Sequence, residues 1–396
     1  MTRARKASAN HKRPALIIDG GSRGDIGVIR SLGWGHVPIR LLVTDPSSPS
    51  TASRYVTHTH PFPGFKASDD AMLEAVKKAA REAGARPVML ATGDRALSFM
   101  SRNRCELADF VDMDLAPAEL IETCLDKDRF APVASRLGLP VPETHVPEDF
   151  CQARMIAERV KYPVFVKPVE RAEWERLPRG AVESVKGQRF NSSAELLKLI
   201  DALEQVGAHR FVIQSFIEGG DHEHMSVHAY VLPDGTMAGT FTGSKLRVYP
   251  SHAGVGTHIA SLHMPEPERL ARETLRALNY TGFAILQFKR DARSGKFQLI
   301  EINCRYSTWT ELPSRAGCNF PLAAYSAMVG DPLPLIRQRE GIAWLDLERD
   351  LMGMSTYRAS GEWTWGGYLK SLSSVRCWAY FAWDDPKPFF RKIINR

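Results

Sequence analysis

The 396 residues are enough for two or three domains, and a hydrophobic content of 44% is ordinary for a chain that buries a core. A formal charge of +7 favours anionic partners such as nucleotides, but the basic head MTRARKASANHKRP supplies much of it and no basic stripe or CxxC pair points to nucleic acid. Six scattered cysteines are not a disulfide scaffold, the head lacks the apolar stretch of a signal peptide, and no window approaches the about 18 apolar residues of a membrane span, so a cytoplasmic protein without nucleic-acid or membrane partners is expected.

After a basic, flexible head (residues 1–13), ALIIDGGSRG (15–24) reads as a buried strand entering a glycine-rich turn. The turn Gly21–Gly24 could cradle phosphate but lacks the dinucleotide spacing, which favours a structural turn. DIGVIRSLG is a helix and IRLLVTD (39–45) the next strand. DDAMLEAVKKAAREAGA (69–85) is a helix ending at Gly84, ahead of the strand PVMLAT (87–92). Apolar strands alternating with helices predict parallel strands and crossovers, and hence a small α/β domain over 14–115.

A helix over 117–144 gives way to RLGLPVPET, where glycine and two prolines launch an extended segment. KYPVFVKPV (161–169) is a strand, SSAELLKLIDALEQVG (192–207) a serine-capped amphipathic helix, and HRFVIQSFIEGG (209–220) another strand. HMSVHAYVLPDGTMAGTFTGSKLRVYP (224–250) holds strands turning at ProAspGlyThr. PEPERLARETLRALNY (265–280) is helical, and FAILQFKRDARSGKFQLIEIN (283–303) is a hairpin turning near SerGly. Antiparallel strands framed by helices make 116–335 an α+β domain distinct from the first. The extension 336–396 carries Trp344, Trp363, Trp365, Tyr368, Trp378 and Trp383; such aromatics pack or cover a neighbour, and a homodimer surface is one use for them.

FQLIEINCRYSTWTEL (297–312) places Glu301, Asn303 and Arg305 at alternate positions. On a regular strand these share one face while Ile300 and Ile302 enter the core. Carboxylate and amide oxygens suit Mg²⁺, which reaches proteins through one or two carboxylates plus substrate phosphates. Arg305 would meet phosphate oxygens with a planar fork. An edge strand with a surface ion pair is the competing reading. Lys167, inside PVFVKP, needs an anion or a route to solvent, because burying an ammonium alone is costly. With Lys127, Lys245 and Arg247 it makes a set of cations suited to polyphosphate.

Over 124–330 the chain resembles the ATP-grasp superfamily of carboxylate–amine ligases, on the branch of carbamoyl-phosphate synthase and D-aspartate ligase. The similarity lies in six motifs in order: LDKDRFAPVASRLGLPVPET, YPVFVKPV, FVIQSFIEGG, FTGSKLRVYP, TGFAILQFKRDARSGKFQLIEINCR and AGCNFPLAAYSAMVGDPLP. It implies a multidomain α/β and α+β chain, with an ATP-grasp fold behind a small parallel-sheet domain. It also implies ATP with Mg²⁺, or Mn²⁺ in its place. Lys127 and Lys167 then become nucleotide-phosphate contacts, and Gln214, Ser215, Phe216 and Ile217 the adenine-recognising strand, acting largely through backbone groups. Glu218 or Glu223 is the ribose acid. Glu301 and Asn303 match the metal ligands, Arg305 the arginine near the transferred phosphoryl group, and Lys245 and Arg247 the basic lining of the phosphate or acyl-phosphate region.

There are departures. Gln287 stands where the family has a metal-binding acid; its oxygen can coordinate but brings no charge, and Asp291 lies toward the turn. Cys304 replaces a proline and reads as structural. RAEWERLPRGAVESVKGQRF (171–190) occupies the place of a glycine-rich flap, with only Gly180 and Gly187 and with Lys186 and Arg189 as anion contacts; a lid and a surface hairpin both fit. Arg315 suits an acidic substrate or plain surface charge, and Trp309 an acceptor pocket or the core. His222, His224, His228, His252 and His258 form no zinc set and read as solvent or pocket residues, HxH at 222 and 224 being at most a weak metal site. The expected activity is amide or peptide bond formation between small amino-acid-like carboxylate and amine substrates through an acyl phosphate. An ATP-dependent carboxylase or kinase and a non-catalytic nucleotide-binding protein are the alternatives.

Overall fold

The computed structural model describes residues 12–20, 23–169, 171–178, 180–182, 187–252 and 254–395, the side chains of Arg23, Lys127 and Arg171 excepted. Most of the basic head, Gly21 of the glycine turn, Lys186 of the expected flap and the Lys127 side chain lie outside that description. The chain forms two compact units. One takes the residues up to Leu115 with Arg305–Ile336 and the segment from Tyr380 onward; the other takes Ala116–Cys304 and Arg337–Ala379. The aromatic-rich stretch expected as one extension is thus divided between the two.

In the first unit, β1 (Ala15–Asp19), β2 (Ile39–Val43), β3 (Val56–Pro61), β4 (Val88–Leu90) and β5 (Asp112–Met113) form a parallel sheet in the order β3-β2-β1-β4-β5. Every residue of β1 is buried, as a strand covered on both faces requires. The helix Asp69–Arg81 turns Met72, Leu73, Val76, Ala79 and Ala80 inward, is capped by Ser68 and carries Lys78 and Arg81 in its last turn, where cations suit the helix dipole. Arg30, fully buried, ties remote segments together: it donates to Glu311 at 2.8 Å, Asp385 at 3.1 Å and the Tyr380 carbonyl at 2.6 Å.

In the second unit, β6 (Thr144–His145), β7 (Val164–Pro168), β8 (Gln188–Phe190) and β9 (Phe211–Ser215) make an antiparallel sheet in the order β6-β9-β7-β8. Its core joins Val164, Val166, Phe190, Phe211 and Ile213 to Leu196, Leu199, Ile200 and Leu203 of the helix Ser193–Gln205. The helix expected over 117–144 is two, Ala118–Leu125 and Lys127–Arg136. Asp126 is extended between them, and its carboxylate and that of Asp128 are both held by Arg210, at 2.9 and 2.8 Å.

The larger sheet comprises β10 (His224–Val231), β11 (Met237–Tyr249), β12 (Val255–Ser261), β13 (Gly282–Arg290), β14 (Phe297–Asn303), β15 (Ala343–Leu345) and β16 (Val375–Trp378). Their order is β14-β13-β10-β11-β12-β15-β16, antiparallel except for the last pair. β10 and β11 turn at Pro233–Thr236, with Gly235 at φ 83° and Leu232 N–H donating to the Thr236 carbonyl. Shifts of register interrupt the ladders, two of them beside expected site residues. Gln287 pairs with Glu301 but Phe288 with Leu299, and Lys245 pairs with Ile259 but Arg247 with His258. No described helix is long and apolar enough to cross a membrane.

Candidate active site

The alternation in β7 aims its residues. Val164, Val166 and Pro168 enter the helix-backed core, so Phe165 and Lys167 leave by the opposite face. Phe165 lies 6.3 Å from the ring of Phe216, and the Lys167 ammonium sits 5.6 Å over the Phe165 ring. Phe216 is further flanked by the Arg189 guanidinium at 4.4 Å and the Lys289 ammonium at 5.1 Å. Two aromatic rings edged by cations suit a stacked base attached to phosphates.

The large sheet supplies the second wall. In register, Gln287 stands opposite both Glu301 and Ser226, and Lys289 opposite His224, placing these side chains on one face. Lys289 is buried, and its ammonium donates to the Ile217 carbonyl at 2.8 Å. Burial pushes Lys289 below its ordinary pKa, against the pull of Asp221, Glu218, Glu223 and Asp291. Burial likewise lowers Lys245, opposed by Glu301 and Asp221. His224 is driven well below the usual histidine range, first by burial and then by Lys245, Lys289 and Lys167, so it is neutral at pH 7. Three ammonium groups thus act on one neutral imidazole, with Asp221, Glu218, Glu223, Asp291 and Glu301 as the carboxylates acting on Lys245 and Lys289. Cations crowded in this way favour a polyanion.

At the end of β14, Asn303 Nδ2 donates to Glu301 Oε1 at 3.0 Å, so the two side chains lie together and Glu301 is exposed. Their oxygens are hard donors, and among the described residues no group of three or more His, Cys, Asp or Glu side chains makes a protein-only metal cage. A carboxylate and an amide beside lysines fit a Mg²⁺ or Mn²⁺ ion whose remaining ligands are phosphate oxygens and water.

Other expected residues are placed differently. Arg247 does not line a phosphate site. The bulge after Lys245 turns it to the other face, where it is fully buried in a fork with Asp350 at 2.8–3.1 Å, bonded to His258 and Ser371, and stacked on Trp363 and Tyr368 at 4.5 and 4.7 Å. Gln287 is buried, and the oxygen it would offer a metal accepts the Ser226 hydroxyl at 2.7 Å. Ile300 is only half-buried, because the bulge beside it breaks the alternation that Ile302 obeys. Arg305 follows the strand rather than continuing it. It belongs to the first unit, where it forms a two-pronged pair with Asp94 at 2.8 and 3.2 Å.

Of the two ribose candidates, Glu223 is buried and gripped at 2.7 and 3.0 Å by Arg290, whose hydrogen bonds hold its carboxyl below the usual range. Glu218 is partly exposed and pairs with Arg293 at 2.7 Å and Arg189 at 3.6 Å. In the adenine-strand candidate, the Gln214 amide donates to Thr144, Ser215 N–H to the Glu143 carbonyl and Phe216 N–H to the Pro163 carbonyl. With the bond from Lys289 to Ile217, these fix the path of the segment.

Arg315 is occupied by Glu311, Asp384 and the ring of Trp34, and Trp309 is buried. His228 is enclosed between Phe241 and Phe283, and burial lowers it to about 3; His258 is lowered to about 4 by burial and Arg247. His222 pairs with Glu223, and His252 with Asp221 and Glu362. Hydrogen bonding to the Cys304 thiol, with burial, holds the Cys124 thiol far above the ordinary range. Lys289 was the residue missed: a lysine within the apolar run FAILQFK carries the same signal as Lys167 in PVFVKP.

No protein-family model matches the chain. The D-aspartate ligase of Enterococcus faecium (strain Aus0004) is 24% identical over 301 residues, 73% of this chain and 70% of that enzyme. The C-terminal section of the carbamoyl phosphate synthase large chain of Methanopyrus kandleri is 27% identical over 230 residues, 55% of this chain but only 39% of that relative. Among solved structures, the L-amino acid ligase of Bacillus licheniformis superposes with a TM-score of 0.61 at 15% identity, covering 85% of this chain and 79% of that one. The biotin carboxylase of Campylobacter jejuni, solved as a β,γ-ATP complex, gives 0.61 at 16% identity, with 83% and 73% covered. The two structural likenesses concern the fold.

Proposed function

We propose that the chain, which is similar to D-aspartate ligase and the carbamoyl phosphate synthase large chain, is an ATP-grasp enzyme: an ATP-dependent carboxylate–amine ligase forming an amide or peptide bond between small amino-acid-like substrates. One arrangement carries the reading: Lys289 stands opposite His224 in register on the sheet face that ends in Glu301 and Asn303, and Lys245 and Lys167 act electrostatically on the same imidazole.

A carboxylate resists attack by an amine at neutral pH because oxide is a poor leaving group. Transfer of the terminal phosphoryl group of ATP to a carboxylate oxygen makes an acyl phosphate with phosphate as leaving group. The amine then forms the C–N bond as phosphate departs and the amine loses a proton. The part of the protein is positioning and electrostatic stabilisation. Phe165 and Phe216 hold the base, Glu218 the ribose hydroxyls, and the three lysines the phosphate oxygens. Glu301 and Asn303 would hold the divalent ion, which when bound would neutralise phosphate charge. By the family pattern Arg305 is a candidate for the transferred phosphoryl group; in the first unit it is paired with Asp94. Lys127, by the family pattern, adds a further phosphate contact.

The test is an ADP-release screen over amino acids and small carboxylates with Mg²⁺, followed by the mass of the product. Amine-dependent release with loss of one water between the joined substrates is expected. Bicarbonate incorporation would move the assignment to carboxylation, phosphorylated carboxylate alone to kinase chemistry, and nucleotide binding without substrate-stimulated hydrolysis to a non-catalytic role.

A further inference from the structure

The segment 381–394 of the first unit carries an apolar surface that the ligase reading does not use. Trp383 is 90% exposed and Ile394 81%, with Phe390 and Ile393 more than half exposed. The rings form a ladder, Trp383–Phe381 at 4.9 Å, Phe381–Phe389 at 5.6 Å and Phe389–Phe390 at 5.6 Å. The helix Lys387–Ile394 bearing half of them is fixed to the body. Arg391 donates to Thr51 at 2.6 Å, and Asn395 to the Ser47 carbonyl at 2.7 Å. Between helix and body runs a groove of about 540 Å³ lined by Ser47, Ala52, Lys387, Phe390 and Ile394.

Cations outnumber acids around this surface. Lys387, Arg391, Lys392 and Arg54 are its cations. Of the neighbouring acids, Asp45 is exposed and accepts Ser47 beside the groove, Asp384 is half-buried and accepts Trp34 and Tyr55, each at 2.8 Å, and Arg315 at 3.1 Å, and Asp385 is fully buried against Arg30. A second copy meeting this patch across a two-fold axis would set lysine against lysine. An anionic bilayer surface instead matches both features, because tryptophan, phenylalanine and isoleucine sink into the interface while lysine and arginine meet lipid phosphates. We propose that this surface docks the protein on an anionic membrane face, lying on the bilayer without crossing it. The sequence reading expected no membrane partner, since it weighed spans alone.

Co-sedimentation of the full chain with phosphatidylcholine vesicles, with and without phosphatidylglycerol, tests this. Partitioning at least about tenfold stronger into anionic vesicles is expected. Lys387→Gln with Lys392→Gln should weaken it about 25-fold, at about fivefold per cation, and Trp383→Ser with Ile394→Ser should abolish it. Both variants should keep wild-type circular dichroism and ADP release. The proposal fails if anionic lipid confers no preference. It fails equally if binding survives Trp383→Ser with Ile394→Ser, which would assign it to another surface. A wild-type dimer in light scattering that this variant converts to monomer would make the patch a self-interface and also overturn it.

Discussion

Replacing Asp350 by alanine isolates what Arg247 does. Both side chains are fully buried, and the pair makes contacts from Nε at 3.0 and 3.1 Å and from Nη2 at 2.8 Å. Without the carboxylate, the guanidinium keeps, among the described residues, Ser371, the neutral ring of His258 and two aromatic faces. Breaking such a pair from one side costs about 3–5 kcal/mol, because the surviving charge stays buried. With a urea m-value of about 3 kcal/mol/M for a unit of this size, the midpoint should fall by about 1–1.7 M. Arg247→Met with Asp350→Leu removes both charges and should recover most of the loss. The assay is urea unfolding followed by tryptophan fluorescence, alongside the ATP concentration for half-maximal ADP release. A midpoint unmoved in Asp350→Ala, or an Arg247→Met chain that folds yet loses ADP release as far as a phosphate-contact variant does, would refute the reasoning and return Arg247 to the phosphates.

Three further outcomes follow from the site and its surroundings. Glu301→Gln should lower ADP release about 100-fold or more while the fold is kept, as loss of one charged transition-state contact does; wild-type turnover would remove Glu301 from the site. Burial depresses Lys245, so its charge opposes folding below the ordinary lysine pKa and the penalty fades as pH rises through the lowered value. Lys245→Met should therefore raise the melting temperature of the nucleotide-free chain near pH 7 while abolishing ADP release. A lowered melting temperature would show that the ammonium is structurally satisfied. Burial raises Asp384, but bonds from Trp34, Tyr55 and Arg315 outweigh it and hold the carboxyl at about 2. Its contribution is present above the ordinary carboxylate pKa and lost as pH falls toward 2, so Asp384→Asn should flatten the acid limb of melting temperature against pH between about 4 and 2. An equally steep limb in the variant would count against that linkage.

Local patterns were legible wherever the chain keeps its period. VFVKP alternates strictly, so Lys167 could be placed on the open face of β7 from its neighbours alone. Glu301 and Asn303 emerged together because no bulge falls between them. Ile300 and Arg247 were misplaced because each lies beside a bulge, where one extra residue reverses which face the next side chain takes. His224 shows a different limit. Its neutrality comes from burial and from lysines on three other strands, none adjacent to it in sequence.

The sequence by itself determined the element types, the order of motifs and the oxygen donors at the end of β14, because side-chain periodicity and residue chemistry are local. Tertiary structure alone decided that Lys289 joins Lys167 and Lys245, that Arg247 pairs with Asp350, and that the segment from Tyr380 completes the first unit through Arg30. Those outcomes depend on register and on partners distant in sequence, and a buried charge is settled by the counter-charge that packing brings to it rather than by its neighbours along the chain.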